Sequence, residues 1–108
     1  MGLDQYAFAR KGEEKTEIMY WRKHANLEGW MANLYHTRGG EGRFNCVDLK
    51  LSEEDLLNLQ LQHRTLETSE GFFWGYTTEE KVEDTQTFID KALEMIKDGY
   101  EIIYTSWW

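Results

Sequence analysis

The sequence predicts an α+β fold in which a single sheet of three or four strands is covered mainly on one face by three helices. Two patterns carry that expectation. Three segments repeat apolar residues at spacings of three and four, the period of a helix, and the segments between them alternate or concentrate β-branched and aromatic residues. The size agrees: 108 residues, 41% of them hydrophobic, make one domain over 1–108 with one core, burying roughly two-thirds of the unfolded surface.

Gly2 to Arg10 sets Leu3, Gln5 and Ala7 against Asp4, Tyr6 and Phe8, a first strand. Lys11 to Thr16, with Gly12, reads as a charged loop. Tyr20, His24, Leu27, Met31 and Leu34 then recur at helical spacing, with Trp30 and Tyr35 widening the stripe. That helix starts between Met19 and Asn26 and stops at Gly39 and Gly40. Phe44 to Leu51 alternates Val47, Leu49 and Leu51 against Cys46, Asp48 and Lys50, a half-buried strand.

Ser52 opens the second helix, because its hydroxyl suits the exposed backbone N–H of Asp55 and Leu51 can staple onto Leu56. Leu57 and Leu61 continue the buried side to about His63. Leu66 to Gly71 is a polar connection, and Phe72, Phe73 and Trp74 between two glycines predict a short strand or packed aromatic turn. Thr77 with Glu80 is a capping-box pattern for the third helix. Val82, Thr85, Phe88, Ile89, Ala92, Leu93 and Ile96 form its core face, and Gly99 ends it. Tyr100 to Trp108 is the last strand. Connection lengths leave the sheet order open between parallel crossovers and antiparallel returns.

The net charge of −8 argues against general binding to nucleic acid or anionic membranes. The charge is unevenly spread: residues 1–50 carry eight Lys/Arg against seven Asp/Glu, and residues 51–108 four against thirteen. Acidic solvated helix faces account for this. A single cysteine, Cys46, excludes an intrachain disulfide and suits a reducing compartment. With no signal-peptide pattern and no apolar run near the roughly 20 residues that span a bilayer, a cytoplasmic protein is expected.

Met1-Gly2-Leu3-Asp4-Gln5-Tyr6, then Tyr20-Trp21-Arg22-Lys23 and a helix bearing Trp30, resemble a family of small bacteriophage and marine-metagenome proteins. Gly71-Phe72-Phe73-Trp74-Gly75 before an acidic helix, and the ending with Ser106-Trp107, extend the resemblance over almost the whole chain. Gln5 and Trp74 depart from the family pattern. The family has no established activity or cofactor, so the resemblance implies a bacterial host cell as the setting and no chemistry.

Among candidate sites, Trp21, Arg22 and Lys23 at a helix start could hold a phosphate or carboxylate, with Tyr6 completing a pocket for a small anion or nucleotide. The plainer account packs Tyr20 and Trp21 and leaves the two cations in solvent. His24, His36, His63 and Cys46 match no zinc spacing, and His24 and His36 lie about 120° apart on a helix, so neither metal nor cofactor is expected. Cys46 in an alternating strand reads as core rather than nucleophile. Gly39 to Arg43 follows a helix and lacks the Lys-Ser/Thr of a phosphate loop. Carboxylate pairs such as Glu53/Glu54 sit in first turns, where the helix dipole explains them.

Five Trp, six Tyr and five Phe exceed what a core this small hides, and Trp107 and Trp108 point to opposite faces of the last strand. Trp74, Trp107 and Trp108 are therefore the candidate interface residues. The expected function is a non-enzymatic accessory protein that binds another protein, most simply itself as a homodimer and then a bacterial host factor. A variant has the acidic second half imitate a nucleic-acid backbone.

Overall fold

The computed structural model describes residues 2–63 and 79–108. The described elements run β1 (Asp4–Lys11), β2 (Glu14–Arg22), α1 (Ala25–Thr37), β3 (Leu49–Leu51), α2 (Glu53–Gln62), α3 (Glu79–Lys97) and β4 (Glu101–Trp107). The four strands form one antiparallel sheet in the order β2-β1-β4-β3. This is the predicted α+β class with the helices packed on one face. The aromatic segment Phe72 to Trp74 and the cap at Thr77 lie outside the described residues.

The largest correction concerns Lys11 to Arg22, which form a hairpin arm rather than a loop and the start of a helix. Lys11 pairs with Glu14 across a two-residue turn, with φ of +60° at Gly12 but not at Glu13, the pattern of a type II′ turn. A turn of that hand matches the twist of the flanking strands, so the chain folds straight back. Glu14 to Glu17 are exposed, because this end of β2 extends past the helices. A shift in register between Ala7 and Phe8 marks a bulge at Ile18, and Ile18 and Met19 both reach the core side.

Alternation along the strands sorts side chains into two faces. Gln5, Ala7 and Ala9 of β1, Ile102, Tyr104 and Ser106 of β4, and Leu49 and Leu51 of β3 face the helices and are buried. They meet Leu27 and Met31 of α1, Leu56 and Leu59 of α2, and Phe88, Ile89 and Ala92 of α3.

Helix α1 begins at Ala25, so Tyr20 belongs to β2 and leaves the predicted helical stripe, while His24, Leu27 and Met31 keep their buried places. Both α1 and α3 end in Schellman turns. Gly40 N–H reaches Tyr35 C=O and Gly39 N–H reaches His36 C=O; Tyr100 N–H reaches Met95 C=O and Gly99 N–H reaches Ile96 C=O. Gly39 and Gly99 take φ of +88° and +92°, which a Cβ would strain. Gly40 is glycine for a different reason, since a Cβ there would fall 2.5 Å from the Tyr35 ring.

β3 is shorter than predicted, and Cys46 is exposed with φ of +60° rather than buried. Helix α2 opens as expected: Ser52 Oγ accepts from Asp55 N–H at 3.1 Å, and Asp55 returns the bond by accepting from Ser52 N–H at 2.9 Å. Asp55 also receives Arg38, whose guanidinium donates to Lys50 C=O at 2.7 Å as well, tying α1 to β3 and α2. Burial pushes the Asp55 carboxyl up, but bonds from Ser52 and Arg38 outweigh it and hold it below the ordinary value. The buried side of α2 is Leu56 and Leu59; Leu57 is exposed and Leu61 is 82% exposed, against the predicted stripe.

Ser52→Ala should cost about 1 kcal/mol and Ser52→Gly only a few tenths, since glycine leaves the N–H open to water. Urea unfolding of the two variants checks this through their midpoints at unchanged slope.

Candidate functional site

A carboxylate sits in the interior. Glu28, in the first turn of α1, has 0% exposure and is reached by three donors. Tyr104 O–H donates to Glu28 Oε1 at 2.6 Å, and Ser106 O–H and Trp108 indole N–H donate to Oε2 at 2.9 and 3.1 Å. The indole N–H is shared with Phe44 C=O at 2.8 Å. Behind Tyr104 stands Gln5, whose amide N–H₂ donates to the Tyr104 oxygen at 2.8 Å and to His24 C=O at 3.1 Å. The Gln5 carbonyl accepts His24 N–H at 2.8 Å. Gln5 thereby braces the bend from β2 into α1, where Lys23 takes φ of +60° and its N–H reaches Leu3 C=O at 2.8 Å.

Burial pushes the Glu28 carboxyl up from its ordinary range, the three donors pull it back, and it settles at about 7. Burial and the facing carboxylate together lift the Tyr104 hydroxyl well above its ordinary value. The far end of the cluster is closed by Asn45. Its carbonyl accepts Trp108 N–H at 3.0 Å and its amide donates to Trp108 C=O at 3.1 Å, while Cys46 N–H reaches Ser106 C=O at 2.7 Å. With both carboxylate oxygens bonded and no exposed surface, the cluster is a proton-holding clamp between α1 and β4 rather than a place for substrate.

The opposite face of the sheet has a different chemistry. Reading across the paired strands, Lys15, Arg10 and Glu101 form one row; Glu17, Phe8, Ile103 and Lys50 the next. Tyr20, Tyr6 and Thr105 form the third row, and Arg22, Asp4 and Trp107 the last. Among the described residues no helix packs here. Trp107 is 60% and Tyr20 43% exposed; Tyr6 and Phe8 are half-buried, and Ile103 between its neighbours is 2% exposed. Tyr6 lies 5.2 Å from the Tyr20 ring and 6.2 Å from Phe8, nearly parallel to the latter. Lys15 Nζ sits 4.5 Å above the Phe8 ring. Glu101 receives both Arg10 at 2.7 Å and Lys50 at 3.0 Å, and Tyr20 O–H donates to Asp4 at 2.6 Å.

The residues predicted to form an anion pocket are not brought together. Trp21 is 2% exposed, its indole N–H donates to Thr85 Oγ1 at 3.1 Å, and its ring meets Phe88 edge-on at 5.0 Å. Tyr6 and Arg22 lie on the other face, since neighbours on a strand point to opposite sides, and Lys23 stands at the bend. Trp107 and Trp108 do point to opposite faces, the first to solvent and the second into the Glu28 cluster. Trp74 lies outside the described residues. Among the described residues no three His, Cys, Asp or Glu gather as a metal site, and no helix is long and apolar enough to cross a membrane.

The cluster of Gln5, Glu28, Tyr104 and Ser106 was missed by the sequence reading, although it left a signal. Gln5 occupies a core position between Leu3 and Ala7, and Glu28 adjoins Leu27 three residues before Met31 on the buried stripe. No family model matches this sequence, and comparison with curated proteins and with solved structures returns no match.

The raised carboxyl makes stability depend on pH. A carboxyl whose folded pKa lies above its unfolded value favours the fold while protonated, so the contribution is complete below about pH 4.5 and is lost as pH rises towards 7. The change should reach about 3 kcal/mol. Glu28→Gln should flatten the slope of unfolding free energy between those two pH values, measured by urea titration across the range. Glu28→Ala should destabilise at every pH by about 2 kcal/mol or more, because Tyr104 and Ser106 lose a buried acceptor.

Proposed function

We propose that this protein is a non-enzymatic binding module that docks another protein on the sheet face turned away from its helices. One observation carries the reading: Trp107 and Tyr20, both substantially exposed, share that face with the Tyr6 and Phe8 rings. Exposed aromatic residues gathered on a rigid strand surface are the material of interface hot spots, because they bring large contact area at little entropic cost.

Charge favours a protein over a polyanion. Arg10, Lys15, Arg22 and Lys50 stand among Asp4, Glu17 and Glu101, and Arg10 and Lys50 are both already engaged by Glu101. Phosphate backbones are held by clustered cations, whereas the remaining two, Lys15 and Arg22, stand at opposite ends of β2. The carboxyl with the large upward pKa displacement, Glu28, has no surface to offer a substrate. The sequence resemblance supports a phage-infected bacterial cell as the setting, with either a second copy or a host protein on the face.

A photo-crosslinking phenylalanine at position 107 should yield protein adducts in bacterial cells, reduced by Tyr20→Ala. The same probe at Lys91, exposed on α3, should give none. Equal adducts at both positions, or none at 107, would refute the docking face. Trp107→Ala should shift folding stability by no more than about 0.5 kcal/mol, which separates binding from stability.

A further inference from the structure

We infer that the proton on Glu28 is a switch for the docking residue: its loss fixes the end of β4, and Trp107 with it, and its return slackens that end. The consequence for binding rests on the docking face proposed above; the switch itself is a property of the single chain.

The placement of the donors carries the inference. Tyr104, Ser106 and Trp108, alternate along the chain, turn inward to Glu28, and Trp107 stands between the last two on the opposite face. Ser106 Oγ and Trp108 Nε1 both donate to Oε2, at 2.9 and 3.1 Å, whereas Tyr104 is the donor to Oε1. A single carboxylate oxygen thus holds the residue on either side of Trp107.

The rules of donor and acceptor decide what a proton does to that hold. An indole N–H only donates, so a carboxyl O–H cannot be received by Trp108. On Oε1 the proton would point at the Tyr104 oxygen, which already accepts Gln5 N–H at 2.8 Å, and the phenol hydrogen would be left in the core without its acceptor. A serine hydroxyl accepts as readily as it donates. The proton therefore sits on Oε2 and points at Ser106 Oγ. Ser106 then ceases to donate to Glu28, and Trp108 faces an oxygen that is no longer charged, leaving its N–H to Phe44 C=O at 2.8 Å. Hydrogen bonds to an ionised acceptor are roughly twice as strong as neutral ones. Ionisation consequently strengthens the two contacts that flank Trp107, even as burying the charge lowers the stability of the whole fold.

The surroundings leave Glu28 to set the switch. β4 supplies Tyr104, whose hydroxyl keeps its proton because burial and the facing carboxylate raise it. β1 supplies the neutral amide of Gln5, β2 the Trp21 ring 6.1 Å from Tyr104, β3 Leu49 beside Tyr104, α2 Leu56 and Leu59, and α3 Phe88 against Trp21. The segment before β3 brings the Arg43 guanidinium, 5.7 Å over the Trp108 ring, and Cys46, which is exposed and meets Ser106 through its backbone N–H. The entry to α1 brings His24, whose C=O accepts Glu28 N–H at 3.1 Å. Asn45 holds the Trp108 backbone with a neutral amide, so that clasp keeps the strand end near the cluster in both states.

Nuclear magnetic resonance of the ¹⁵N-labelled, purified chain from about pH 5.5 to about 8.5 tests this. The Trp108 indole cross-peak should move with a midpoint of about 7, and the heteronuclear NOE of the Trp107 amide should rise along the same curve as its motion is restricted. In Glu28→Gln both should stay flat, with Trp107 at its acid-side value. Trp108→Phe removes a donor that serves only the charged form, so the midpoint, read on the Ser106 amide, should rise by about one pH unit or more. A Trp107 signal that ignores the titration, or one that loosens as pH rises because the charge draws water in, would overturn the switch. So would a titration that persists in Glu28→Gln, which would belong to His24, or an unmoved midpoint in Trp108→Phe. These measurements need no partner: absent photo-adducts at position 107 alongside an intact titration would remove the docking reading and leave the switch standing.

Discussion

The hydrogen bond from Tyr104 to Glu28 joins the centre of the sheet to the first helix inside the core, and much of the surrounding structure answers to what that contact requires. Removing a carboxylate from water costs several kcal/mol even after relaxation. Three donors to a charged acceptor return roughly 1.5–3 kcal/mol each. The two sides come close to balance, and a carboxyl poised at about 7 is the expression of donors that fall somewhat short. Each donor must then be held in place. Ser106 lies near the end of β4 and Trp108 just past it, Asn45 clasps the Trp108 backbone from outside, and Gln5 orients Tyr104 while bracing the entry to α1.

That bracing links the two faces of the molecule. β1 lies between β2 and β4, so the residue that secures the buried cluster, Gln5, is flanked in sequence by Asp4 and Tyr6 on the opposite face. The aromatic row of Tyr20, Tyr6 and Thr105 owes its rigidity to strands whose other sides are locked into the core by Trp21, Gln5, Ala7 and Tyr104. Exposed rings on so firm a base have few alternative orientations to give up, so a contact made by them would cost little ordering entropy.

Much of this was legible in the sequence, and the exceptions share a cause. The cap of α2, the glycine stops of α1 and α3, the core face of α3 and the last strand all follow from local chemistry that needs no partner. The hairpin arm did not, because Glu14 to Glu17 lie past the helices and are exposed on both sides, leaving no alternation to read. Tyr20 matched the helical spacing of His24, Leu27 and Met31 by coincidence, and with it Trp21 and Arg22 were drawn to a helix start. Leu57 and Leu61 form a stripe as regular as Leu56 and Leu59; only the position of β3 decides between them. Cys46 left the core because its backbone turns at positive φ to meet the end of β4. The Glu28 cluster joins residues 5, 28, 104 and 106, a separation no local pattern encodes.

Charge gives the sheet face its place in the whole molecule. The excess of carboxylates falls on the helices, where Glu53, Glu54, Glu83, Asp90 and Glu94 are exposed, while the opposite face intersperses both signs. Two copies meeting through their helices would bring like charges together, and in a chain of net charge −8 that repulsion opposes association. The same polarity repels polyanions from the helical side, whereas the sheet face, where Arg10, Lys15, Arg22 and Lys50 stand among Asp4, Glu17 and Glu101, presents no field of a single sign.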